Sequence, residues 1–83
     1  MKKLPLGIVT SAADLGRLAA RRRKAQGLTQ ADLAGLGQVG NRFVSELERG
    51  KPTAQLDKAL HVLNLLGLDV QIIERGADPR NGS

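Results

Sequence analysis

Eighty-three residues without a cysteine make one small domain. Such a chain buries only about 60% of the surface its unfolded form exposes, so it is marginal alone and a second copy is the expected source of extra core. The missing cysteines exclude disulfides and thiolate metal sites, and no metal or cofactor is expected. They also fit a reducing cytosol. No apolar run approaches the roughly 18 residues that span a bilayer, and the first residues hold no run long enough for a signal peptide. The expected setting is therefore cytoplasmic, with no membrane partner.

The net charge of +5 is uneven. Residues 1–58 carry eleven Lys/Arg against five Asp/Glu, whereas 59–83 carry two against three. The basic part reads either as a phosphate-binding face or as a solvated surface that aids solubility. Phe43 is the only aromatic residue. This disfavours single-strand nucleic-acid modules, which stack bases on several aromatic rings.

In chain order, residues 1–10 form an N-terminal arm whose apolar, β-branched run at 6–10 is either a strand or a packed segment. Ser11 is a good N-cap with Asp14 three residues on, and opens a helix that runs to about Gln26. Leu15, Leu18 and Ala19 form its inner stripe. Arg21, Arg22, Arg23 and Lys24 crowd its C-terminal turns, where cations complement the helix dipole. Gly27 follows as the C′ residue. Thr29, again with an acid at Asp32, caps a second helix to about Leu36, with Leu33 and Ala34 inward. Gly37 and Gln38 make a tight turn. A third helix covers about 41–48, with Val39, Val44 and Leu47 inward. Gly50, Lys51 and Pro52 stop it. Thr53 caps a fourth helix over about 54–66, whose buried face is expected to be Leu56, Ala59, Leu60, Leu63 and Leu66.

Residues 68–74 then alternate apolar and polar, as a half-buried strand does. A lone strand leaves an open edge. It pairs either with the same strand of a second copy, forming a lid across a dimer through Leu68, Val70 and Ile72, or with the run at 6–10. Residues 75–83 read as a disordered tail.

Two short helices joined by a tight turn are poor core builders but present one helix to a groove. That is the layout of a helix-turn-helix, whose second helix lies in the DNA major groove. Its outward positions here are Gly40, Asn41, Arg42, Ser45, Glu46 and Arg49. Arg offers guanine a two-pronged donor, Asn pairs with adenine through a donor and an acceptor, and Glu accepts from cytosine. Asn41 and Arg42 are the expected base readers, with Glu46 third. The competing readings are Asn41 as a helix cap and Glu46 as a surface acid that repels phosphate. Gly40 either lets the backbone approach DNA or serves as the cap. Gln30 lies in the first turn of the second helix, where an amide suits a phosphate oxygen. Ser45, Arg49 and Lys51 are expected backbone clamps. Phe43 either touches a thymine methyl or packs against Val39 and Leu47; packing is favoured. A membrane-surface helix over the Arg21–Lys24 run is disfavoured, because its other face holds only Leu and Ala. Nothing supports an enzyme: His61 is the only histidine and has no catalytic surroundings.

With those residues in view, the chain resembles the Xre/Cro-type helix-turn-helix family. The stretches Leu15-Gly-Arg-Leu-Ala-Ala-Arg-Arg-Arg-Lys-Ala-Gln-Gly-Leu-Thr-Gln-Ala-Asp-Leu-Ala34 and Val44-Ser-Glu-Leu-Glu-Arg-Gly50 carry the likeness, which covers about 14–67. It implies a mainly α, lambda-repressor-like domain of four to five helices over 11–67. It also implies a structural ion pair between Arg23 and Glu48, and supports Gln30 at phosphate with Asn41, Arg42 and Glu46 at bases. The chain departs from the family at Gln38, where a Gly is usual in the turn. The wider layout, with a terminal strand at 68–74, is similar to HipB-type antitoxins. That likeness implies a homodimer with a strand lid, a palindromic double-stranded operator in the protein's own operon, and a HipA-like Ser/Thr kinase toxin as partner. The expected function is an operator-binding repressor and antitoxin. The alternatives are a stand-alone repressor of phage or restriction-control kind, or a purely protein-binding inhibitor on the same fold.

Overall fold

Four helices make up the domain: α1 Ala12–Ala25, α2 Gln30–Gly37, α3 Asn41–Glu48 and α4 Leu56–Leu65. The structure is a computed structural model and describes residues 6–52 and 55–76. The Thr53 cap, the first five residues of the arm and the tail beyond residue 76 lie outside the described residues.

Local chemistry explains the starts of α1 and α2. The Ser11 hydroxyl accepts from the Asp14 N–H. The Asp14 carboxylate reaches back to Thr10, accepting from its N–H at 3.0 Å and its hydroxyl at 2.8 Å, and pairs with Arg17. Thr29 and Asp32 form a complete capping box, each side chain accepting from the other's backbone N–H.

One motif ends all four helices. In each, the residue after the last turn has a left-handed backbone, its N–H donates three residues back, and the next N–H donates five residues back. The latter bonds are Leu28 to Arg23, Val39 to Ala34, Lys51 to Glu46 and Leu68 to Leu63. These are Schellman closures, which satisfy the orphan carbonyls of a helix end. Glycine supplies the left-handed residue at Gly27, Gly50 and Gly67; at α2 it is Gln38, with φ 55° and ψ 40°. The turn geometry is thus kept at the site where the chain lacks the usual glycine. The residue after the turn packs on the core in three cases, Leu28, Val39 and Leu68.

The core is Ala19 from α1, Leu33 and Ala34 from α2, Val44 and Leu47 from α3, and Ala59, Val62, Leu63 and Leu66 from α4 and its end. Two expectations for α4 are corrected. The helix starts at Leu56 rather than 54, and Leu56 and Leu60 are 62% and 40% exposed. The buried stripe is 59, 62, 63 and 66, about 100° wide. Val62 lies at one edge of it, and Leu56 and Leu60 fall on its other flank, where they stay exposed.

Among the described residues no strand forms. Residues 68–74 run without a ladder and do not pair with 6–10, so pairing within the chain is not realised. Residues 6–10 of the arm are exposed, and a side chain added at Gly7 would touch that of Leu18. Leu68 is half-buried against the chain's own core, whereas Val70 and Ile72 are exposed, Ile72 by 93%. None of the described helices is long and apolar enough to cross a membrane.

Candidate nucleic-acid interface

Helix α3 is anchored on one side only. Val44 and Leu47 are buried, and Phe43 and Val39 pack against the same core. Phe43 therefore points into the fold, and Lys58 of α4 sits 5.9 Å from its ring centre, within cation–π range. The opposite side of α3 presents Asn41, Arg42 and Ser45, with Arg49 at its C-terminal cap. Gly40 is the N-cap and makes no side-chain bond, so Asn41 is not the cap and its amide is exposed at the first helical position.

The four-residue basic cluster divides by direction. Arg21 and Lys24 are exposed. Arg22 turns inward, and its Nε donates to the Leu66 carbonyl at 2.8 Å. The Gln26 amide donates to the same oxygen at 2.9 Å. Together they close the C-terminal end of α4, a role with no local sequence signal because the partner is forty or more residues away. Arg23 is 8% exposed. Its Nε and Nη2 fork onto the two oxygens of Glu48 at 2.6 and 3.0 Å, and its Nη1 donates to the Leu28 carbonyl. Burial pushes the Glu48 carboxyl up. The hydrogen bonds from Arg23 and Gln30, with the nearby positive charge, outweigh it and leave the carboxyl below its ordinary range.

Gln30 belongs to this network. Its amide donates to Glu48 Oε1 at 3.0 Å, so α1, α2 and α3 meet at one carboxylate. Gln30 is half-buried, and this bond fixes the direction of its side chain.

Glu46 is placed differently from a free base reader. Its Oε1 accepts from Arg42 Nε at 2.8 Å and from Lys51 Nζ at 3.3 Å. The Arg42 hydrogen bond, helped by Lys51, holds its carboxyl below the ordinary value. The structure thus brings Arg42, Glu46 and Lys51 together. Asn41, Ser45 and Arg49 stand apart from that cluster on the same helix or its cap. His61, outside this face, holds its ring Nε2 3.2 Å from the Gly37 carbonyl, at the turn between α2 and α3.

Comparison with known proteins agrees with this geometry. Residues 20–73 match the family described as helix-turn-helix, HTH_3. The chain is 47% identical over 68 residues to an uncharacterised HTH-type transcriptional regulator, y4mF, of Sinorhizobium fredii (strain NBRC 101917 / NGR234). That alignment covers 82% of this chain and 90% of the relative. Among solved structures, HipB in a complex with an O2 20mer superposes with a TM-score of 0.77 at 21% identity, over 86% of this chain and 99% of that one. A structure described as MDT protein gives 0.76 at 20%, over 84% and 99%. These two likenesses concern the fold. The chain belongs to the helix-turn-helix family of the Xre type, whose members are DNA-binding transcription regulators.

Proposed function

We propose that this protein is a dimeric repressor that reads a palindromic operator in the cytoplasm, and that it is the antitoxin of a HipA-like Ser/Thr kinase whose operon it autoregulates. The observation that carries the DNA part is the outward face of α3, where Asn41 and Arg42 project from a helix fixed on its inner side by Val44 and Leu47. In this reading Asn41 and Arg42 meet base edges, Gly40 lets the backbone approach, and Gln30, Ser45, Arg49 and Lys51 hold phosphates. The antitoxin part rests on the HipB-like fold, and the dimer on the exposed apolar residues Val70 and Ile72 beyond α4.

Two experiments test the finer claims. A chain ending at Leu68 retains the N–H that closes α4 and loses the exposed run. It should sediment as a monomer while the full chain sediments as a dimer; a truncated chain that remains dimeric contradicts the strand lid. Co-expression with the neighbouring reading frame should yield a stable complex with a kinase-like product. A neighbour of another kind, or a kinase that does not co-purify, favours the stand-alone repressor.

A further inference from the structure

An acid on the face that meets DNA needs an explanation, since an unpaired carboxylate there would repel phosphate. Glu46 sits one turn after Arg42, at the (i, i+4) spacing that lets their side chains meet, and Lys51 reaches the same oxygen from the loop after α3. The trio carries a net charge of +1, so the acid does not cancel the basic character of the face. Its geometry has a second consequence. Oε1 engages the guanidinium through Nε alone, which leaves the outer edge, Nη1 and Nη2, as a free two-pronged donor. The Arg42 side chain is 87% exposed, and no other hydrogen bond to it is made among the described residues. Without that bond it would sample many rotamers, and docking would have to freeze them.

We infer that Glu46 is a positioning residue for operator recognition: it contacts no base, and it holds Arg42, with Lys51 as counter-cation, so that the Nη1/Nη2 edge faces a guanine. The inference rests on the operator-reading function proposed above. It assigns Glu46 a role different from both sequence readings, base reader and phosphate repeller. Each of the three has its own signature.

The test uses the full chain and a double-stranded DNA pool with a randomised central region. The duplex selected by the wild type and all its single-base variants are then measured with Arg42→Ala, Glu46→Ala, Glu46→Gln and the double variant Arg42→Ala/Glu46→Ala. Arg42→Ala should flatten the preference at one base pair by about 5- to 150-fold, the range of a bidentate contact. Glu46→Ala and Glu46→Gln should weaken the preference at that same base pair by about tenfold, within the span for residues in contact. In the Arg42→Ala background, removing Glu46 should change nothing at that position. Three results would overturn the inference. Loss of preference at a different base pair makes Glu46 a reader. A uniform gain in affinity for every sequence makes it only a repeller. Additive effects of the two substitutions mean that it does not act through Arg42. If the wild type selects no sequence at all, the operator-reading function falls, and the positioning role falls with it. Thermal unfolding of each variant separates these outcomes from loss of fold, which is not expected at two side chains outside the core.

Discussion

Gly16→Ala should destabilise the domain by about 3 kcal/mol or more, the upper part of the range for overpacking a tight contact. Gly16 is where α1 crosses the end of α3. A Cβ there would meet the carbonyl oxygen of Leu47 and lie 2.6 Å from that of Glu48. Both obstacles are backbone, so no rotamer change relieves them and the two helices must separate. Helix propensity alone predicts the reverse, because alanine is favoured over glycine within a helix by about 0.5–1 kcal/mol. Gly35→Ala in α2 is the matched control. A Cβ at Gly35 meets nothing within 4 Å, so that variant should gain stability by about the propensity difference. Denaturant unfolding of both variants checks the pair; equal effects would mean that the α1–α3 crossing is looser than described.

Arg23→Ala should cost about 3–5 kcal/mol, because it strands the Glu48 carboxylate in a buried site. For a domain of this size that is a large share of the total stability, and corresponds to a fall in Tm of about 12 °C or more. Arg21→Ala, two residues away on the exposed side, should shift stability by no more than about 0.5 kcal/mol. Replacing Arg23 and Glu48 together by methionines should cost far less than Arg23→Ala, since no unpaired charge is left. The same pair gives the stability a pH dependence. The Glu48 carboxyl is held below its ordinary value of 4.5 in the fold, so its contribution is fully present above that value. It is lost as pH falls from there through the lower folded value. In Arg23→Ala the Glu48 contribution should reverse sign, stability rising as pH falls, because burial then pushes the unpaired carboxyl up and protonation relieves it.

These cases show what was legible in the sequence and what was not. Helices α1, α2 and α3 could be read because their signals are local: Ser11 and Thr29 with an acid three residues later, and Gly27 and Gly50 just past the ends. Helix α4 was harder. Leucines at 56, 60, 63, 65 and 66 allow more than one stripe, and only the position of α2 decides that Val62 is inside and Leu60 on the flank. The basic cluster at 21–24 looks uniform in sequence. It divides into exposed Arg21 and Lys24, capping Arg22 and buried Arg23 because residues at successive helical positions face different neighbours. Gly16 gave no signal, since a tight helix crossing is a property of two segments some thirty residues apart. The outward positions of α3 followed from its short length and its inner stripe. The pairing of Glu46 with Arg42 and Lys51 required coordinates, since a residue outside the helix shares the carboxylate. Residues 68–74 read as a strand by their alternation, yet no ladder forms there within the described residues, and Val70 and Ile72 are left exposed.

The central claim, that α3 and its flanking cations carry this protein onto duplex DNA, is tested most directly by the affinity of the full chain for its selected duplex as salt is raised. With Arg49 and Lys51 contributed by each of two copies, at least four phosphate charges are neutralised. The log of the affinity should then fall linearly with the log of salt, by about 10²- to 10³-fold between about 50 and 200 mM. An affinity that stays level across that range contradicts the claim.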